Sequence, residues 1–583
     1  MPTRLTLLAA SFALVLGLGA TTALFAYEAP EGSSGFTPKP LVKAEKQMVV
    51  AANPLATKAG LGILRQGGSA VDAAIAVQMV LNVVEPQSSG IGGGAFILTW
   101  DAATKTLLNI DGRETAPAAA TPELFLDEEG RPLPRKVAMA SGRSVGVPGV
   151  LAALKLAHDR YGKLPWADLF APAIALARDG FAISPRLAQL LAGSDPANFA
   201  PAARAYFFDA KGRPLPMGYR LTNQALAQTF EDIAKHGTAA FYDGGIARAI
   251  AAVVGSDPRG PGALTAEDLA NYRARLREPV CVPYRAYEVC GAALPSSGAV
   301  TVGQVLALVE PFDLGAEPLS AEPVHLIVEA ERLAFADRGR YLADPDFVPA
   351  PAGLLDPSYI DHRRALIDRT RALGEVGAGT PPNTRQGLYG RDATVENTGT
   401  SHISIVDGSG NAVAMTTSIE QSFGSRLMVR GFLLNNELTD FSFAPVDEDG
   451  RPVANRVEGG KRPRSSMNPT MIFSDSDGRS LRYVLGSPGG PGIILFVVKA
   501  IVAMLDWNLD PQDATALVNF GSTGRGFLIE PGDAWNGLAE AMQGFGHEVE
   551  RFGFTSGLHI IAVTPDGLEG GADPRRGGVA LGD

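Results

Sequence analysis

Positive charge is in short supply in this chain. Its 583 residues carry 51 Lys and Arg against 62 Asp and Glu, a formal net charge of −11, and no extended basic face is evident. A general nucleic-acid binder is therefore excluded, because its affinity comes from neutralising phosphates. Cysteine is scarcer still, with only Cys281 and Cys290. They flank Val282 to Val289 and face each other across a hairpin if Arg285-Ala286 forms a two-residue turn. In an oxidising compartment that pair becomes a disulfide, and otherwise it is two buried thiols; the disulfide is expected. The chain also lacks any linker that would divide it into the three or four domains its length suggests, and it lacks internal repeats. Its 46% hydrophobic and 19% charged residues belong to a globular composition.

One long apolar run does occur, at the amino terminus. Arg4 precedes an uncharged stretch from Leu5 to about Ala26, followed by the more polar Tyr27 to Pro40. The pattern predicts a secretory signal over 1–26, with Ala20, Ala23 and Ala26 as cleavage points. Its length is also near that of a membrane span, so an uncleaved anchor is the alternative. Either way export is expected, to a periplasmic or extracellular location. No later segment reads as a membrane span.

Ala70 to Val84 is apolar nearly all round and predicts a buried helix entered from Gly67-Gly68-Ser69. Ser88-Ser89-Gly90-Ile91-Gly92-Gly93-Gly94 follows, where adjacent glycines allow close backbone approach. A strand over Ala95 to Trp100 and another over Leu107 to Ile110 lead to Asp111-Gly112-Arg113-Glu114. Helices are predicted over 148–161, 165–178, 266–275 and 322–342, with strands returning after Thr400. Strands at both ends with helices between predict an α+β fold in which amino- and carboxy-terminal segments share one sheet system.

Upstream of Gly399, the stretch from Tyr389 is polar and aperiodic and predicts an exposed loop. Thr400 then opens a β-hairpin: a strand to Val406, turn residues Asp407 to Gly410, and a second strand from Asn411 to Ile419. By itself this is an ordinary β-branched residue starting a strand. It is also a residue whose hydroxyl would gain a base in its own α-amine if the chain were cut after Gly399. Four polar clusters follow. Thr416-Thr417-Ser418-Ile419-Glu420 ends the second strand, where hydroxyls could point back to Thr400. Glu437 and Asp440 place two carboxylates three residues apart after an apolar strand, a set that suits a ligand ammonium. Lys461-Arg462-Pro463-Arg464-Ser465-Ser466 sets adjacent hydroxyls among basic residues, fitting carboxylate recognition. Gly486-Ser487-Pro488-Gly489-Gly490 offers unhindered N–H groups for an oxyanion, and it has no lysine in phosphate-loop position. Each cluster alone also reads as a solvated loop or turn.

In order and composition these segments, together with Gly68 to Ala74 and Pro295-Ser296-Ser297-Gly298, resemble the γ-glutamyltranspeptidase family of N-terminal-nucleophile hydrolases, from about Ala51 to Arg576. The resemblance implies a four-layer αββα sandwich, one intertwined domain made of two chains after self-cleavage between Gly399 and Thr400. A large subunit over 27–399 and a small subunit over 400–583 would form the heterodimer. Thr400 would be the nucleophile, Ser418 would support it, and Gly489 and Gly490 would form the oxyanion hole. Arg113, Ser465 and Ser466 would hold the α-carboxylate of a γ-glutamyl donor, and Glu437 and Asp440 its α-amine, with Glu420 nearby. No cofactor or metal is implied. Donors would be glutathione or related γ-glutamyl compounds, passed to water or to amino-acid and dipeptide acceptors.

Three departures from the family's usual pattern stand out: Ser418 where many members have threonine, Glu420 where many have asparagine, and Pro491-Gly492 where Ser-Arg is frequent. The 441–460 stretch matches the lid region without the tyrosine of lidded members, which favours hydrolysis over transfer. Two other readings share these residues. One is an acylase of the same fold acting on a glutaryl or other acyl amide; the other is a non-catalytic exported binding protein. Keeping both the carboxylate set and the acidic α-amine set favours the γ-glutamyl reading, since a glutaryl group has no amine.

Overall fold

A computed structural model describes residues 35–385, 387, 389–392, 399–474 and 478–583. The apolar run at 5–26 and most of the stretch expected as a loop before Gly399 lie outside the described residues. Two seven-stranded sheets, antiparallel throughout, form the centre. In one, Thr400–Val406 lies between Met48–Ala51 and Ala412–Ser418, and the sheet continues through Gly94–Asp101 and Thr106–Gly112. In the other, Ser480–Gly486 lies between His559–Thr564 and Thr470–Ser474, and the edge is the hairpin Val280–Tyr284 and Tyr287–Gly291. Residues from before and after position 400 are neighbours in both sheets, as the sequence predicts.

Three apolar clusters establish four layers. Ile403, Ile405, Val413 and Met415 pack under the helices Pro54–Arg65 and Ala70–Val84. Val406, Ala412, Ala414, Met471, Phe473, Val484 and Ile561 fill the space between the sheets. Ile472, Leu485 and Ile560 meet the helices Gly298–Val309, Ala321–Tyr341 and Gly492–Leu505. Strand side chains alternate between faces, so each central strand feeds one cluster with odd and another with even positions. The arrangement is an αββα sandwich.

The buried helix spans Ala70–Val84 as expected, and every residue in it is buried. The hydroxyl of Ser69 accepts from the Asp72 N–H and the Asp72 carboxylate accepts from the Ser69 N–H, a reciprocal cap that starts the helix at this point. Other boundaries differ. The helix expected over 165–178 is a 3₁₀ turn, Trp166–Phe170, followed by Ala171–Asp179, with Pro172 in the second helix's first turn. The one expected over 266–275 stops at Asn271, and Arg275–Arg277 joins a sheet edge instead. The hairpin over 280–291 places strands well before Thr400, where the sequence reading had mostly helices. Its turn has Tyr284 opposite Tyr287, and Cys281 and Cys290 form the expected disulfide. Among the described residues no helix is long and apolar enough to cross a membrane.

Candidate functional site

Gly399 and Thr400 are buried, which corrects the expectation of an exposed approach. A Cβ at Gly399 would lie 2.3 Å from the Glu420 carbonyl oxygen, so the backbone here runs hard against the end of the neighbouring strand. Thr400 pairs with Ser418 across the hairpin, and their hydroxyl oxygens are 3.4 Å apart. The Ser418 hydroxyl donates to the Gly399 carbonyl oxygen at 2.6 Å and accepts from the Glu420 N–H at 2.7 Å. On the other side, Arg576 donates to the Thr400 carbonyl oxygen at 3.3 Å. The carbonyl of the peptide bond between Gly399 and Thr400 thus accepts from the Ser418 hydroxyl, and the Thr400 hydroxyl stands beside that same hydroxyl.

Thr400, His402 and Ser404 share the strand face turned to the other sheet. His402 bonds Thr416 through Nδ1 at 2.9 Å and Ser404 through Nε2 at 3.1 Å. Ser404 donates to the His559 carbonyl, and His559 Nδ1 bonds the His402 carbonyl at 2.7 Å. Burial pushes His402 well down from its ordinary range and His559 down to about 3, so both rings are neutral. Thr416 therefore meets His402 rather than Thr400, and the Thr417 hydroxyl donates to the Gly94 carbonyl. Of the three hydroxyls near the strand end, only that of Ser418 meets Thr400.

The acidic residues sit on one 3₁₀ turn, Glu437–Asp440, and are buried rather than solvated. Asn435 anchors that turn: its side chain donates to the carbonyls of Gly92 and Gly146 and accepts from the N–H groups of Gly146 and Glu437. The glycine run makes this approach feasible. A Cβ at Gly92 would stand 2.0 Å from the Leu433 carbonyl oxygen, and one at Gly93 2.0 Å from that of Ser418. Arg113, fully buried, ion-pairs with Glu437 through Nη1 and with Asp440 through Nη2 at 2.5 Å, and donates to the carbonyls of Pro463 and Arg464. Burial opposes its charge, but the carboxylates of Glu437, Asp440 and Glu114 outweigh that and hold it above its ordinary value. Burial pushes Glu420 and Glu437 well above the usual carboxylate range, each with neighbouring carboxylates adding to the effect.

The serine pair forms the third wall. Ser465 Oγ accepts from the Met467 N–H at 3.1 Å, while Ser466 Oγ accepts from Arg338 Nη2 at 2.6 Å. The Ser465 backbone carbonyl is held by the N–H and the hydroxyl of Ser297, which tie the motif Pro295-Ser296-Ser297 to this wall. The basic residues beside the serines turn elsewhere: Lys461 bonds the Ala454 carbonyl and Glu458, and Arg462 pairs with Asp111 at 3.4 Å. They support the loop and do not reach the cleft. Gly489 and Gly490 have φ of +136° and +56°, a region that disfavours side chains, and a Cβ at Gly489 would lie 2.6 Å from the Phe496 ring. Among the described residues neither N–H donates to a protein acceptor. Helix Gly492–Leu505 starts directly after Pro491, which is its N-cap residue.

Thr400, Ser418, Glu420, Glu437, Asp440, Ser465, Ser466 and Gly490 line one cleft. Gly489 adjoins it through Gly490, and Arg113 lies behind the acidic pair. Four participants escaped the sequence reading. Glu114 is a buried carboxyl 3.8 Å from Arg113, pushed up by burial, and its place next to Arg113 in the motif was the available signal. Arg135, Arg338 and Arg576 come from distant segments and carry no local signal.

The sequence model of the family described as gamma-glutamyltranspeptidase matches residues 56–583. The glutathione hydrolase proenzyme of Bacillus subtilis (strain 168) is 37% identical over 554 residues, covering 92% of this chain and 91% of its own length. That of Escherichia coli (strain K12) is 37% identical over 547 residues, with the same coverage of 92% and 91%. Among solved structures, a cephalosporin acylase from Bacillus halodurans aligns with a TM-score of 0.82 at 28% identity, over 95% of this chain and 99% of that one.

Proposed function

This chain belongs to the γ-glutamyltranspeptidase family and has the N-terminal-nucleophile hydrolase fold, and from that premise we propose that it is a self-processing γ-glutamyl hydrolase and transferase acting on glutathione or related γ-glutamyl amides. One observation carries the reading. A strand-opening threonine stands in a cleft whose walls separately hold a hydroxyl partner, an acidic pair and a serine pair.

In the precursor, the Thr400 hydroxyl attacks the Gly399 carbonyl carbon, whose oxygen the Ser418 hydroxyl holds. The C–N bond breaks, the acyl group passes to Thr400 Oγ1, and water hydrolyses the resulting ester. Thr400 is left with a free α-amine, at the head of a small subunit 400–583 that stays interleaved with a large subunit 27–399. That amine is the base for the second reaction. It takes the proton as Oγ1 attacks the γ-carbonyl of the donor, while N–H groups at Gly489 and Gly490 receive the oxyanion. The amine product leaves with a proton, and the γ-glutamyl ester passes to water or an acceptor amine. Ser465 and Ser466 suit the donor α-carboxylate, which Arg113 would reach only by giving up a bond to the acidic pair; Glu437, Asp440 and Glu420 suit its ammonium.

Export fits the disulfide between Cys281 and Cys290, so the periplasm or the outside of the cell is the proposed location, with attachment to the membrane if the 1–26 segment is retained. Gel and mass analysis of wild type beside Thr400→Ala, with a γ-glutamyl anilide assay, tests the whole scheme. Wild type splits into two chains and turns the anilide over, and the variant does neither. An uncut, inactive wild type would return the chain to the class of binding proteins.

A further inference from the structure

The Thr400 end of the cleft is completed by residues from the far end of the chain. Strand Thr400–Val406 pairs with Met48–Ala51 only from Ile403 onward, so among the described residues Thr400, Ser401 and His402 have a strand partner on one side only. Two side chains take the carbonyls left over there. His559 Nδ1 bonds that of His402 at 2.7 Å, and Arg576 Nη1 donates to that of Thr400 at 3.3 Å. Arg576 belongs to the loop 573–578, which ends in Gly577-Gly578. Among the described residues this loop has one backbone bond within itself, 3.4 Å from the Arg576 N–H to the Asp573 carbonyl. A loop with two glycines and so few bonds of its own does not fix a guanidinium unaided.

What shapes it is the segment 36–39. The Thr37 N–H donates to the Pro574 carbonyl at 2.9 Å, and Lys39 Nζ donates to the carbonyls of Asp573, Arg576 and Gly578 at 2.6, 2.7 and 2.6 Å. An ammonium has three N–H donors, and each of them meets a carbonyl of the same loop. Burial lowers Lys39 to about 8, with the Asp573 carboxylate pulling the other way, so the group is charged at neutral pH. The Phe36 ring adds to the contact, 5.4 Å below the Arg575 guanidinium. We propose that Lys39 is a positioning residue for the Thr400 chemistry: by gathering three carbonyls of the loop 573–578 it sets the conformation in which Arg576 reaches the Thr400 carbonyl, and with it the aim of the Thr400 hydroxyl. The amino-terminal stretch of the large subunit thereby organises the active end of the small one.

The inference rests on the reading of Thr400 as the nucleophile of a self-processing γ-glutamyl enzyme. Lys39→Met removes the ammonium and keeps the length of the side chain. At pH 7 a gel time course of freshly made precursor should show splitting slowed about tenfold, and anilide turnover by the split protein should fall by a similar factor, since small misplacements of a reacting group cost this much or more. Affinity for L-glutamate, measured by calorimetric titration of the split protein, should stay at the wild-type value, because that ligand is expected at the other end of the cleft. Lys39→Arg keeps a charged donor for the carbonyls and should bring both rates to within a few-fold of wild type. Lys39→Gln keeps two N–H donors and should fall between; it gives the same readouts if Lys39→Met does not fold. A merely structural tie would lower the melting midpoint and weaken glutamate along with the rates, so that pattern overturns the proposal. Unchanged rates in Lys39→Met, or an Arg variant no faster than the Met one, overturn it too. Lys39-dependent splitting in a protein that leaves the anilide untouched removes the γ-glutamyl reading and keeps this inference. Anilide turnover with Lys39-independent rates does the reverse, and an uncut wild type removes both.

Discussion

The two ends of the cleft are built from opposite materials. At the Thr400 end, Thr400, Ser418, Gly489 and Gly490 offer hydroxyls and backbone N–H groups, and the rings of His402 and His559 beneath them are neutral. At the other end, four carboxylates crowd around two guanidinium groups, nearly all of it out of water. Neutral groups need only be aimed; buried charges must also be balanced. Substitutions at the first end should therefore act on rates with the fold intact, and at the second on stability and affinity together.

Arg113→Ala gives the largest expected effect, because it leaves Glu437 and Asp440 without their shared cation. Breaking a buried pair from one side costs about 3–5 kcal/mol, read as a lower urea midpoint. Adding Glu437→Gln removes one of the carboxyl groups left without a partner and should recover part of the loss. A double variant no more stable than Arg113→Ala alone would show that charge imbalance is not the cause.

Ser418→Ala tests the neutral end. Among the described residues it removes the only hydroxyl bonded to the Gly399 carbonyl, and loss of one such donor slows acyl chemistry about 100-fold or more. A gel time course of freshly made precursor should show slow splitting with an unchanged urea midpoint, and Ser418→Thr should restore the rate. If Ser418→Ala splits at the wild-type rate, the hydroxyl is not polarising that carbonyl.

This contrast also decides what the sequence made legible. The hairpin at Thr400, the helix Ala70–Val84 and the glycine run could be read because strand alternation, a capping box and backbone crowding are local patterns. The acidic pair was legible as a composition three residues apart, but not as the partner of Arg113, 324 residues earlier in the chain. Arg135, Arg338 and Arg576 were illegible for the same reason. An arginine that folds onto a distant carbonyl, hydroxyl or carboxylate leaves little trace in its own neighbourhood, and the arginines beside the serine pair, Arg462 and Arg464, pair with Asp111 and Asp392.

Acidity should distinguish the ends again. His559 binds a proton in the unfolded chain near its ordinary value of 6.5 but in the fold only near 3, so its contribution is complete above 6.5 and is lost as pH falls toward 3. Each buried neutral histidine steepens that loss by up to about 1.4 kcal/mol per pH unit. Glu114 runs the other way. Burial raises it, so its contribution is complete below the ordinary 4.5 and is lost as pH rises through its elevated value. Melting midpoints across pH should show His559→Gln flattening the acid limb and Glu114→Gln the alkaline one. The same limb flattened by both would mean that the two ends titrate as one network.

The smallest effect concerns what happens to the γ-glutamyl ester. Transfer requires an acceptor amine to outcompete water, which depends on cover over the cleft. The 441–460 segment contains no tyrosine, and its contacts point away from the nucleophile: Phe443 stacks on Phe125, Asn455 donates to the Asp440 carbonyl, and the Pro452 carbonyl accepts from the Gly390 N–H. It braces the charged end and supplies no tyrosine to cover the neutral one. Free glutamate should therefore exceed γ-glutamyl-glycylglycine when the anilide is turned over with glycylglycine at neutral pH. A shift of a few-fold is the scale to expect, since one apolar or hydrogen-bonding contact changes a barrier by about 1 kcal/mol. Dominant transfer product would mean that cover comes from some other element, and would move the division between the two ends to the cleft mouth.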